Sequence, residues 1–146
     1  EVIRAKATVA WPSDIEFKNG ILTGELYRRK IAGYAIREYE VGLKGETPSD
    51  NHQIEHIAPQ TPTNSWKAKI PDEYDGVLHT WGNLLPLTPT MNPATGQSDF
   101  SAKKEAYADS IFASAREVSK YDDWNALSIK GRTSKIADWA LKRWQY

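Results

Sequence analysis

The chain has no cysteine, one methionine, no long apolar run, and charges that sum to zero. Without cysteine there is no disulfide framework and no thiolate zinc site. No apolar stretch approaches the ~18–20 residues that a membrane-spanning helix needs. No signal-peptide pattern opens the sequence. The 19 Lys and Arg balance 19 Asp and Glu, so the chain as a whole lacks the basic excess of a dedicated nucleic-acid binder. The only methionine is Met91, and the sequence begins at Glu1. It therefore reads as a piece of a longer protein, with the C-terminal part as the expectation.

What is present fits a single ordinary globular domain. The 146 residues are enough to bury a core without staples, and 40% hydrophobic with 26% charged residues is a usual globular balance. The charges are unevenly placed. Residues 51–100 carry 2 basic and 5 acidic side chains, whereas residues 101–146 carry 9 and 6. An acidic middle suits a cation site, and a mildly basic end suits a DNA-facing surface.

Local signals give a coarse order of elements. Trp11-Pro12-Ser13-Asp14 marks a turn or helix start. Leu22, Leu26, Ile31, Tyr34, Ala35 and Tyr39 recur at roughly helical spacing and predict a helix over 21–41. Residues 42–51 read as loop, and residues 60–79 as irregular, anchored by Trp66 and Tyr74. Trp81-Gly82-Asn83 turns into a buried strand, Leu84–Leu87, and 88–99 is loop. The alanine-rich stretch 101–119 predicts a helix with Tyr107, Ile111, Ala115 and Val118 on one stripe. Asp122 or Asp123 is placed to cap a last helix that starts near Trp124, with Gly131 as a potential break.

Several polar residues sit where neither core nor turn obviously needs them. Glu55 and His56 lie between Ile54 and Ile57. Asn83 separates Gly82 from Leu84-Leu85, Asn92 follows, and Lys103 and Lys104 open the next helix. Phosphodiester hydrolysis needs a base for water, a group that holds the base, a cation and phosphate-binding charges. A neutral histidine suits the base, and carboxylate and amide oxygens suit Mg²⁺ or Mn²⁺. A competing pattern is His52-Gln53-Ile54-Glu55-His56, the H-x-x-E-H arrangement of zinc peptidases. It requires a helix, which Pro48 and Pro59 disfavour, and residues 76–98 offer no acidic third ligand. A binding or regulatory module without chemistry is a further alternative.

The ordered set Glu55-His56-Ile57-Ala58-Pro59, Trp81-Gly82-Asn83-Leu84, Asn92 and Phe100-Ser101-Ala102-Lys103 resembles the HNH, or His-Me finger, nucleases. More narrowly, it resembles the C-terminal domain of the GmrSD-like modification-dependent restriction enzymes, a group that includes phosphorothioation-sensing defence nucleases. The resemblance extends over residues ~20–146, the span of one domain. It implies an α+β, mostly helical fold, with a ββα-metal core wrapped by additional helices. Residues 1–50 would be a helical lead-in, 51–105 the core and 106–146 C-terminal helices.

The same resemblance implies roles. His56 would be the general base, Asn83 the residue that orients it, and Asn92 a ligand of one Mg²⁺ or Mn²⁺. Glu55 would be a second metal ligand, and Lys103 a phosphate contact. Asp99 departs from the asparagine often found before the phenylalanine. Double-stranded DNA is the implied substrate, an N-terminal ParB-like NTPase domain the implied neighbour, and the bacterial cytoplasm the implied compartment. Lys104, Lys130, Arg132 and Lys135, with Lys142 and Arg143, are the expected DNA-facing cations.

Overall fold

A computed structural model describes residues 10–49, 52–87 and 96–145. Ser13 starts helix α1 (Asp14–Thr23), as its local signal predicts. Its hydroxyl accepts from the Glu16 N–H, and the Glu16 carboxylate takes the Ser13 N–H at 2.7 Å. This reciprocal cap satisfies donors that a helix start leaves open. The helix predicted over 21–41 is in fact divided among three elements, the first being the end of α1. The chain breaks at Gly24, which is extended, and a Cβ there would strike the Gly20 carbonyl oxygen. A 3₁₀ turn (Leu26–Arg28) and helix α2 (Ala32–Gly42) follow.

Strand β1 (Gln53–His56) pairs antiparallel with β2 (Leu84–Leu87), Glu55 opposite Leu85 and His56 opposite Leu84. β2 is the strand expected at Leu84–Leu87, and residues 57–83 make a long excursion between the two strands. That excursion holds α3 (Asn64–Lys69), α4 (Tyr74–Leu78) and a 3₁₀ turn (Trp81–Asn83), where irregular chain was expected. Helices of five and six residues are too short to show a hydrophobic period. Trp66 is buried beneath α3, and the Tyr74 hydroxyl donates to the Pro59 carbonyl at 2.6 Å.

All four residues of β2 are buried because the strand separates two cores. Successive side chains point to opposite faces. Leu85 and Leu87 join Ile57, Trp66, Phe100, Tyr107 and Trp124. Leu84 joins Ile36, Tyr39, Trp81 and Ile136 on the other side.

Helices α5 (Phe100–Ala108), α6 (Ala113–Val118) and α7 (Ala126–Arg143) complete the domain. The stretch 101–119 divides because a side chain from α2 supplies a second helix start. The buried Glu40 carboxylate accepts the N–H groups of Ala113 and Ser114, and Ser110 Oγ accepts the Phe112 N–H at 3.1 Å. Ile111 falls in this break and is exposed, not on the buried stripe. Asn125, rather than Asp122 or Asp123, caps α7 by accepting the Ser128 N–H at 3.0 Å. Gly131 does not break α7. The ~1 kcal/mol helical cost of glycine is outweighed by the buried stripe of Ile129, Thr133, Ile136, Ala137 and Ala140. The result is an α+β, mostly helical domain with a two-stranded sheet. Among the described residues no helix is long and apolar enough to cross a membrane.

Helix α7 crosses the Trp81–Asn83 turn at very short range. The Gly82 N–H donates to Thr133 Oγ1 at 3.0 Å, and a Cβ on Gly82 would collide with that oxygen and with the Ile129 carbonyl. Gly82→Ala is therefore expected to destabilise the domain by about 1–3 kcal/mol, the usual range for overpacking. A lowered urea midpoint at constant slope is the expected observation, and an unchanged midpoint would refute the close approach.

Candidate active site

His56 ends β1 on the face it shares with Leu84. Its Nε2 lies 3.0 Å from Nδ1 of His79, which immediately follows α4. The Tyr27 ring covers the pair. It meets His56 edge-on at 4.3 Å between centroids and stacks on His79 at 5.2 Å, with planes 10° apart. The Tyr27 N–H donates to the His79 carbonyl at 3.2 Å, which fixes the covering turn in place. Both imidazoles are buried. Burial, followed by the charges of His79 and Lys103, holds the His56 pKa down to about 4. Burial and Arg28 lower that of His79, against the opposing carboxylates of Glu25 and Asp75. At neutral pH both rings are uncharged, so one donates and the other accepts.

Asn83, fully buried, fastens the turn that follows His56. Its Oδ1 accepts the Ala58 N–H at 2.8 Å and the Trp124 indole N–H at 3.1 Å. Its Nδ2 donates to the carbonyls of Ala58 at 3.0 Å and Leu78 at 2.9 Å. Together these bonds hold the turn after His56 in place. Asn92 lies outside the described residues.

Glu55 and Lys103 meet each other, rather than a metal and a phosphate. Glu55 faces the opposite side of β1 from His56, as strand alternation dictates. Its Oε1 accepts from Lys103 Nζ at 2.7 Å and from the Tyr107 hydroxyl at 3.0 Å, and Lys103 also donates to the His56 carbonyl at 3.0 Å. Lys103 is wholly buried, and burial lowers its pKa against the supporting charge of Glu55. The sequence carried a signal for this. Phe100, Lys103 and Tyr107 are spaced as one helical face, and that face is internal.

The expected DNA-facing cations are also mostly engaged. Arg132 is buried on the Ile129–Ile136 stripe of α7. Its guanidinium donates to the carbonyls of Gly82 at 2.8 Å and Leu84 at 3.0 Å, so it is an internal strut and not a DNA contact. Lys130 pairs with Glu73, Lys135 with Glu117 and Arg143 with Glu38. Lys104 is half-buried beside Asp99 and Asp123 in a shallow cleft, and Lys142 is exposed.

His52 and His56 do not form a zinc pair. The segment is a strand, so positions four apart lie ~13 Å apart along it, and His52 Nδ1 is 2.8 Å from the Ser49 carbonyl. Among the described residues no group of three or more His, Asp or Glu side chains is placed to hold a metal ion. These residues alone do not make the hard-ligand site that a Mg²⁺ or Mn²⁺ ion requires. Tyr27, and the pairing of His79 with His56, are the parts of the site that the sequence did not indicate, because only the fold brings them together.

Fold and site together define a small α+β domain with a neutral histidine buried at a strand end beside an amide-pinned turn. The chain belongs to the family of the C-terminal domain of the GmrSD restriction endonucleases, whose model matches residues 11–139. The resemblance drawn from its motifs is thus borne out at the level of the family. No curated protein matches the chain.

Two expectations follow. Unfolded, the His56 imidazole takes a proton near its ordinary value of 6.5, whereas the native ring does so only near 4. Between those values the unfolded state binds more protons, so stability falls as the pH drops through that window. The shift corresponds to about 3 kcal/mol, and His79 adds in the same direction. His56→Gln should flatten this part of a plot of urea midpoint against pH. Equal slopes in the wild type and the variant would show that His56 is not buried neutral. Lys103→Met should cost about 3–5 kcal/mol, because it strands the Glu55 carboxylate. Lys103→Met with Glu55→Leu should recover much of that loss in the same unfolding assay.

Proposed function

We propose that the domain is an HNH-type DNA endonuclease in which His56 acts as the general base toward water. The observation that supports this best is the neutral His56 at a strand end, with Asn83 pinning the turn two residues further on. A base must be unprotonated and rigidly aimed to accept a proton. Among the described residues Nδ1 of His56 has no hydrogen-bond partner. When Nε2 carries the proton and donates to His79 Nδ1, the His56 Nδ1 lone pair is the free acceptor. His79 then acts as the positioning residue that fixes this tautomer, and Tyr27 holds His79 by stacking.

The antiparallel pair β1–β2 and helix α5 would be the ββα core. Mg²⁺ or Mn²⁺ dependence belongs to the proposal through the family resemblance and Asn92. The ion would supply charge stabilisation to the phosphorane. Duplex DNA would be the substrate, nicked or cut on both strands, in an anti-phage restriction system. A ParB-like NTPase domain N-terminal to this one would provide any recognition of modified bases.

The test is plasmid relaxation by the purified chain in Mg²⁺ or Mn²⁺, with and without EDTA. His56→Ala is expected to lose about 10²–10⁴-fold in rate, as removal of a general base does, with its circular dichroism unchanged. Cleavage by His56→Ala at the wild-type rate would sink the base assignment, and full activity in EDTA would sink the metal requirement.

A further inference from the structure

The same turn that covers the histidines carries the sequence Tyr27-Arg28-Arg29-Lys30, and all four residues are exposed. Tyr27 is in ring contact with both imidazoles, and these cations lie within three residues of Tyr27 along the chain. Consecutive Cα atoms are about 3.8 Å apart, and Arg and Lys side chains reach further than that. Neither Arg29 nor Lys30 has an ion-pair partner among the described residues. Among the described residues Arg28 is paired with Glu25, at 2.8 Å, through side chains 64% and 49% exposed. Such an exposed pair contributes little and exchanges readily for a stronger anion. Its charge is nevertheless close enough to act on His79.

The contrast with α7 sharpens the point. There, Lys130, Lys135 and Arg143 already have carboxylate partners, and Arg132 is internal. Those pairs are partly exposed too, so a phosphate there competes with a carboxylate already in place but is not barred by it. On the Tyr27–Lys30 turn no carboxylate of the described residues is paired with Arg29 or Lys30.

We infer that the Tyr27–Lys30 turn is the surface that holds the nucleic-acid backbone against His56, with Arg29 and Lys30 on the phosphates that flank the scissile one. The inference rests on the nuclease reading for the identity of the scissile phosphate, whereas the phosphate contact itself is measurable without cleavage. The chemistry recognised is a run of phosphodiester anions. Contacts to phosphate oxygens carry no sequence information, so this contact is independent of DNA sequence.

The experiment is a salt titration of duplex binding in EDTA, using the full chain and a short blunt DNA duplex. Arg29→Gln with Lys30→Gln should lower the slope of log K against log salt by roughly 1.8, the release expected for two phosphate contacts. Affinity near 0.1 M salt should drop roughly 10–60-fold on the same basis. Lys67→Gln with Lys120→Gln, two exposed cations elsewhere, should leave the slope unchanged. A slope in the Arg29/Lys30 variant equal to the wild type overturns the proposal, as does an equal drop in the control pair. No duplex binding by the wild type also overturns it. A plasmid assay run in parallel separates the two ideas. If the wild type binds with the expected dependence on Arg29 and Lys30 yet never cleaves in Mg²⁺ or Mn²⁺, the surface stands and the nuclease reading fails.

Discussion

One buried amide sets the geometry on which the rest of the site depends. Asn83 carries four side-chain hydrogen bonds, to both backbone groups of Ala58, to the Leu78 carbonyl and to the Trp124 indole. Its own carbonyl takes the Ile57 N–H at 2.9 Å. His56 lies two residues before Ala58, and His79 directly follows Leu78. The amide therefore fixes, through backbone on both sides, how far apart the two imidazoles stand. No other side chain of similar size has both the donors and the acceptor that this position needs. Each bond lost in so dry a place leaves a polar group unsatisfied, at about 1–3 kcal/mol. The same amide reaches Trp124 and so links the strand pair to the segment that begins α7.

The adjacent residues Glu55 and His56 have separate tasks because a strand sends neighbours to opposite faces. Glu55 goes inward with Leu85 and holds α5 through Lys103 and Tyr107. His56 goes to the side of Leu84 and meets His79 and Tyr27. Lys103 joins the two tasks, since its ammonium also binds the His56 carbonyl. A charged pair in that position gains nothing over hydrophobic packing in raw stability. It does, however, fix the register of α5 against β1, because neither partner has another place to go.

The Ser13 start and the buried strand β2 were legible because each has a short-range signal of its own, whereas β1 was implied by the family resemblance. The broken helices were not legible. Gly24 ends α1 through contact with Gly20, and Glu40 begins α6 from a helix seventy residues away in sequence. Local spacing across either break still looks helical. Lys103 and Arg132 were misplaced for a different reason. Charge suggested the surface, whereas their positions on the Phe100–Tyr107 and Ile129–Ile136 stripes indicated the interior. When periodicity and polarity disagree on a helix, periodicity with a nearby partner wins, here Glu55 for one and the Gly82 and Leu84 carbonyls for the other. His79 had no local signal, because its meaning comes only from the excursion between strands that returns it to His56.

A pKa near 4 makes His56 a weak base in the free domain, while efficient proton transfer favours a value near the working pH. The charges around it explain how both can hold. Burial first, then the charges of His79 and Lys103, push the value down, which keeps the ring neutral in the free domain. On the nuclease reading, a phosphodiester bound under Tyr27 brings a negative charge to the same place, opposite in sign to Lys103. That charge favours the protonated imidazolium, so the substrate itself raises the basicity of His56 as it arrives. On that reading the base would be available in the free protein and strengthened only in the complex, which is where the proton must move.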